Sequence, residues 1–274
     1  MTAIEVRGLR KAYGGRDAVA GIDLSVPAGE VFALLGPNGA GKTTTVEILE
    51  GHRRRDAGDV RVLDTDPATA GRAWRARIGI VLQTATDAAE LTVTEMVRHV
   101  AGFYPRPRPV AEVIDMVGLT DKAKARIRSL SGGQRRRVDV ALGVVGRPEV
   151  LFLDEPTTGF DPAARRQFWD LIRAQAREGT TIVLTTHYLD EAEALADRLA
   201  VISAGRIVAE GTPGSLGGRA TAEATVRWDG RTEATADPAD LIVKLRAEGA
   251  DLSRLTVTRP TLEDTYLTLI GEKR

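Results

Sequence analysis

Apolar and polar positions alternate at the start of the chain, at Ile4 and Val6 and then at Ile22, Leu24 and Val26 after Gly21. A period of two predicts strands with one buried face. Val31–Leu35 departs from it as an unbroken apolar run, the pattern of a strand covered on both faces of a parallel sheet. From Thr43 onward, Val46 and Leu49 among good helix formers predict a helix, which makes 36–42 a strand-to-helix loop. After Gln83 the pattern is helical. Thr92 and Glu95 have the spacing of a capping box, and Val93, Met96, Val97, Val100, Ala101 and Tyr104 share one helical face. Pro105, Pro107 and Pro109 are expected to end that helix, since each removes a backbone donor. Val110, Val113, Ile114 and Val117 predict a second short helix ending at Gly118. Residues 87–128 therefore read as a helical insertion.

Ser131 is a credible N-cap for a helix carrying Val138, Ala141, Leu142 and Val145. The apolar runs Val150–Leu153 and Thr181–Leu184 read as further buried strands, and Val201-Ile202 and Ile207-Val208 flank Ala204-Gly205 as in a hairpin. Strands alternating with helices predict an α/β fold with a mainly parallel sheet flanked on both faces. Small residues and a proline at 211–218 read as a linker. Beyond it Val226–Trp228, Leu241–Leu245 and Leu255–Val257 signal further elements, followed by a helix capped by Thr261. That segment is short for a core of its own. The organisation expected is a main domain over 1–215, whose helical subdomain covers about 87–145, and a small α+β accessory domain over 216–274.

Composition narrows the function classes. With 274 residues, 43% hydrophobic and 28% charged, the chain can bury a sizeable core, and global disorder is excluded. Lys+Arg and Asp+Glu both number 38, which removes any overall electrostatic case for nucleic acid. The triplets Arg53–Arg55 and Arg135–Arg137 then read as solvated surface. No cysteine and only 3 histidines leave no thiolate or histidine-rich metal site. The first ten residues carry Glu5, Arg7 and Arg10 and lack the apolar stretch of a signal peptide. No apolar run approaches the roughly 18 residues of a membrane span, so a membrane role is expected to run through a partner.

Three stretches carry chemistry. Gly36-Pro37-Asn38-Gly39-Ala40-Gly41-Lys42-Thr43, continued by Thr44, matches G-x-x-x-x-G-K-[ST] without a substitution. Phosphates need a ring of backbone N–H donors, and glycines allow the tight loop that aims them. Lys42 is placed to reach the β and γ phosphates and Thr43 to coordinate Mg²⁺, with the dipole of the following helix in support. Asp154 and Glu155 end a buried strand, where ligands of α/β sheets bind. Asp154 suits an Mg²⁺ shell and Glu155 can polarise a water for in-line attack on the γ phosphate. Leu130-Ser131-Gly132-Gly133-Gln134 offers a hydroxyl and exposed amides at a helix start, a second phosphate site.

With these motifs the chain resembles, over about 4–211, the nucleotide-binding subunit of ABC transporters, whose signature is that pentapeptide. The resemblance implies a P-loop ATPase core with an antiparallel β subdomain at its N-terminal end. It implies further site residues: Tyr13 stacking on adenine, Gln83 sensing Mg²⁺ and the attacking water, Asp161 communicating across a dimer, and His187 contacting the γ phosphate. It also implies ATP and Mg²⁺ as cofactors, and a head-to-tail pair with a second copy or a related ATPase subunit. The remaining partner is a separate transmembrane permease that holds the chain at the cytoplasmic face of the membrane. Residues 157–162, 186–193 and 260–267 are similar to subunits of bacterial drug and antibiotic exporters. The rival reading is a soluble ABC-type ATPase acting on ribosomes or DNA, but the second cassette, coiled coils or basic extensions usual there are not visible. A vestigial site is opposed by intact Glu155, Gln83 and His187.

Overall fold

The computed structural model describes residues 1–81 and 90–271. Gln83 and the start of the helical insertion lie outside the described residues.

The chain opens with two long strands, β1 (Thr2–Tyr13) and β2 (Arg16–Pro27), where the alternation predicts strands, and they pair antiparallel as the resemblance implies. Then come β3 (Val31–Leu35), α1 (Lys42–Leu49), β4 (Ala57–Val62), α2 (Arg72–Arg75) and β5 (Ile78–Val81). β4 returns to the free edge of β1, closing a three-stranded antiparallel sheet in the order β2-β1-β4. The insertion holds α3 (Val93–Ala101) and α4 (Val110–Met116), and α5 (Gly132–Val144) follows it. Thr92 and Glu95 form the expected capping box of α3. The helix stops at Ala101, before the prolines: the Gly102 N–H is shared by the carbonyls of Arg98 and His99 at 3.2 Å each, and Phe103 and Tyr104 then bond only three residues back, to Val100 and Ala101 at 3.0 and 3.1 Å. Tyr104 thus lies beyond the helix, and its ring fills the space that a side chain at Gly146 would need.

The rest of the main body is β6 (Val150–Asp154), α6 (Pro162–Arg177), β7 (Thr181–Thr186), α7 (Leu189–Leu195), β8 (Arg198–Ser203) and β9 (Arg206–Gly211). The central sheet runs β5-β6-β7-β3-β8-β9, with neighbours parallel except the hairpin partner β9. All five residues of β3 are buried, and they divide between two cores. Phe32 and Leu34 face the small sheet with Ile4, Ile22, Val46 and Phe152, whereas Ala33 and Leu35 face the helices with Leu153, Val97 and Ile172. Burying both faces explains why its sequence does not alternate.

Register brings the loop sequences together. Leu35 pairs with Thr186 on one side and Val201 on the other, and Asp154 pairs with Thr185. The residues following β3, β6 and β7 therefore emerge side by side at the carboxyl edge of the sheet, where α/β proteins bind ligands.

The final elements are β10 (Ala224–Trp228), β11 (Arg231–Thr235), α8 (Pro238–Ala247), β12 (Thr256–Thr258) and α9 (Leu262–Ile270). The three strands form a small antiparallel sheet around Val226, Trp228 and Leu245. The stretch 211–218, expected as a linker, is instead fastened down. Leu216 is fully buried in the main core, and Thr212 and Ser215 bond each other. A single leucine among glycines gives no periodic signal, so its burial depends on the surface it meets. α9, begun by the Thr261 cap the sequence predicts and closed into a capping box by Asp264, turns back onto the same core, burying Leu262 and packing Leu269 and Ile270 there. Among the described residues no helix is long and apolar enough to cross a membrane.

Candidate nucleotide site

The loop after β3 is shaped by close approach. A Cβ at Gly36 would lie 2.4 Å from the carbonyl oxygen of Ile202 on β8, and one at Gly41, where φ is +109°, would lie 2.3 Å from that of Ala18. Two neighbouring strands thus demand glycine at both ends of the loop, in addition to the tight turn read from the motif. Lys42, at the start of α1, is 6% exposed. Its Nζ donates to the carbonyl of Gly36 at 2.8 Å and of Pro37 at 3.2 Å, holding the ammonium inside the loop. Burial lowers its pKa, opposed by the charges of Glu155 and Asp154.

Across from the loop, the Thr185 hydroxyl donates to Asp154 Oδ1. The N–H of Glu155 donates to the Thr185 carbonyl and hydroxyl, both at 3.1 Å. Glu155 has φ +44°, unusual for a residue with a side chain. Such backbone strain collects at functional sites. His187, just past β7, points Nδ1 to 3.4 Å from Glu155 Oε1, and its ring lies 4.0 Å from that of Tyr188.

A cleft of ≈ 720 Å³ unites these parts. Tyr13, Ala18, Gly36, Pro37, Asn38, Gly39, Gly41, Lys42, Thr43, Thr44, Glu155 and His187 line it, together with Tyr266 of α9. Tyr13 is 42% exposed, with Lys11 and Arg53 over its ring at 5.5 and 5.3 Å. A ring so open to solvent is available for stacking and is not a core ring. Several expected residues are not on the cleft wall. Ala40 is buried between the sheets, and Asp154 lies behind Glu155 in its bond with Thr185.

Ser131, Gly132, Gly133, Gln134 and Asp161 also lie off the wall. Ser131 caps α5, accepting from Gln134 N at 3.2 Å while Gln134 Oε1 accepts from Ser131 N at 3.0 Å. Gln134 is thereby occupied within its own chain. Asp161 caps α6, accepting from the N–H groups of Ala163 and Ala164 at 2.9 and 2.8 Å. Those backbone bonds hold its carboxyl below the usual range.

Sequence reasoning places two functional neighbours wrongly or not at all. Arg136, read as solvated surface, is buried. It donates through Nε to the Pro156 carbonyl at 3.0 Å and through Nη2 to the Asp154 carbonyl at 2.9 Å. The signal is its spacing, since Arg136, Val140 and Val144 lie on one buried stripe of α5. Arg55 is likewise engaged, forked onto Asp66 at 2.8 and 2.7 Å. Tyr266 reaches the cleft from a distant segment, and no local pattern announces it.

A glycine loop at the carboxyl edge of a parallel sheet, facing a buried lysine and a strand-end carboxylate, defines a P-loop nucleotide-binding protein. The ABC transporter family model matches residues 19–158. Over 219 residues the chain is 49% identical to the daunorubicin/doxorubicin resistance ATP-binding protein DrrA of Streptomyces peucetius, covering 78% of this chain and 66% of that protein. It is 37% identical to the daunorubicin resistance ATP-binding protein DrrA3 of Streptomyces coeruleorubidus, covering 100% of this chain and 97% of that one. It is 43% identical to a Nod factor export ATP-binding protein of Ralstonia nicotianae, covering 78% and 68%. Among solved structures, an ATP-binding subunit of an ABC transporter superposes with a TM-score of 0.72 at 26% identity, covering 78% of this chain and 91% of that one. An ATP-binding cassette in its ADP conformation superposes at 0.68 and 24%, covering 77% and 91%. The chain belongs to the ABC transporter family, as one of its ATP-binding, ATP-hydrolysing subunits.

Proposed function

We propose that this chain is the ATP-driven motor of an exporter of drugs, antibiotics or related small molecules, working on a separate membrane permease. The relatives named for daunorubicin resistance and Nod factor export support the direction of transport. The observation that carries the assignment of the motor site is the convergence of Lys42, Glu155 and His187 on one cleft.

In this reading the amides of 36–44 hold the phosphates of ATP, and Lys42 turns from its loop carbonyls to the β and γ phosphates. Tyr13 stacks on adenine. Thr43, Asp154 and Gln83 supply hard oxygen donors that fit Mg²⁺. Mg²⁺ held by these residues would supply positive charge against that developing on the transferred phosphoryl oxygens. Glu155 accepts a hydrogen bond from the attacking water and orients it in line. The ring of His187, with Nδ1 towards Glu155, leaves Nε2 for the γ phosphate.

A second copy, or a related subunit, completes the site with its Ser131-Gly132-Gly133 turn, flanked by Gln134, while Asp161 relays between the two. Support comes from the glycines themselves. A Cβ at Gly132 or Gly133 would meet nothing within 4 Å, and neither has a positive φ. Nothing among the described residues requires glycine there, whereas a ligand approaching the helix start from outside does. A cleft of ≈ 540 Å³ between Glu50, Arg75, Met96, Val100, Tyr104 and Leu142 suits a permease helix, which would keep the chain at the cytoplasmic face. Zero formal net charge speaks against a ribosome or DNA as the partner. Lys42→Ala tests the site. ATP binding and turnover are expected to vanish, and unchanged turnover would remove the assignment.

A further inference from the structure

The cleft has a wall that the motif residues do not supply. α9 lies against α7, β8 and β9; Leu262 is buried in the main core, and Tyr266, Leu269 and Ile270, partly buried, pack against it. Within α9, the capping box at Thr261 fixes where the helix begins, and burial of Leu262 sets its rotation. Tyr266, one turn on from Leu262, is thereby placed on the lining of the same cleft as Lys42, Glu155 and His187. α7 begins at Leu189, two residues after His187, so α9 stands on the histidine side of the cleft.

We propose that Tyr266 is a nucleotide-contact residue, whose phenol hydroxyl donates to an oxygen of the γ phosphate. Its half-buried ring packs against the core and the residue lines the cleft, and tyrosine joins an apolar body to a group that can hydrogen-bond. A neutral hydroxyl beside an anion that Lys42 also contacts adds a directional bond and no further charge. The segment after residue 216 thereby acts on nucleotide binding from within the same chain, and displacing α9 would weaken ATP more than ADP. The proposal rests on the nucleotide occupying the loop at Gly36.

The experiment compares wild type, Tyr266→Phe and Tyr266→Ala in the full-length chain. It measures affinity for ADP and for a non-hydrolysable ATP analogue, and the split between KM and kcat for MgATP. Loss of a hydrogen bond to a charged acceptor predicts about tenfold weaker analogue binding and a higher KM in both variants, with ADP affinity unchanged. Full recovery in Tyr266→Phe would reduce the residue to packing and overturn the proposal. Equal weakening of ADP and analogue would also overturn it, as would no change in either variant. Lys42→Ala, run alongside, keeps the two readings apart. If it still binds the analogue as wild type does, the cleft assignment itself fails. If it loses binding while both Tyr266 variants match wild type, only the role of Tyr266 falls.

Discussion

Arg136 Nη2 donates to the backbone carbonyl of Asp154 at 2.9 Å, tying α5 to the strand end that carries both site carboxylates. A second bond, from Nε to the Pro156 carbonyl at 3.0 Å, brackets Glu155 from its other side. Desolvation lowers the pKa of this guanidinium, opposed chiefly by Asp139. The fork of donors therefore holds the backbone at Glu155, whose φ is +44°. Arg136→Lys cannot reproduce two bonds in fixed geometry. It is expected to lower kcat about tenfold with a smaller change in KM, and Arg136→Ala to cost in addition roughly 2–3 kcal/mol of folding stability. Steady-state ATPase kinetics and thermal melts check both, and a wild-type kcat in Arg136→Lys would count against the role.

Gly132→Ala separates stability from function. With open space at the Cβ position and helical backbone, alanine should raise the stability of α5 by up to about 1 kcal/mol. ATP-dependent pairing of two copies should nevertheless fall, because the added methyl stands where the other copy's phosphate would approach. Light scattering with and without ATP, beside a denaturant titration, reads the two effects. Full pairing in a stabilised variant would contradict the shared site.

Glu155→Gln keeps the size of the side chain and removes the carboxylate charge that orients water. Binding of ATP is expected to persist while turnover drops by about 10²-fold or more, so that paired, ATP-loaded copies accumulate. Size-exclusion chromatography in MgATP should show this, and a variant that binds ATP yet stays single would oppose the pairing mechanism.

Glu50 gives a pH prediction. Its side chain is 3% exposed, with His52 Nδ1 at 3.3 Å. Burial, then the charges of Asp154 and Glu47, push its pKa up from 4.5 to about 8. A folded-state value above the unfolded one means that the native chain holds the proton more tightly. The associated stability is complete below pH 4.5 and is lost as pH climbs towards about 8. The loss is on the order of 1 kcal/mol per pH unit inside that window. Glu50→Gln should flatten the slope. Urea unfolding of both proteins at several pH values within the window measures it, and parallel slopes would dismiss the carboxyl as the cause.

Much of the fold and of the site is legible in the order of residues. The run Val31–Leu35, the loop 36–43 and the carboxylates after Val150–Leu153 are local patterns, and all but Glu155, held at φ +44°, take a conformation their own residues prefer. The capping boxes at Thr92, Ser131 and Thr261 likewise depend on residues three apart. The end of α3 is less legible, because prolines can only forbid helix, and the chain leaves it earlier, at Gly102.

By itself, the order of residues determined the principal strands and helices, though not β4, α2 or β11, together with the phosphate loop and the identity of its lysine and carboxylates, because turn chemistry, capping and periodicity act over a few neighbouring positions. Tertiary structure alone decided that Arg136 is buried beneath Asp154, that Leu216 is core, and that Tyr266 reaches a cleft whose lining begins as far back in the chain as Tyr13. A local pattern states which face of an element is apolar. Which partner that face meets depends on how distant segments close on one another, and only the folded arrangement contains that information.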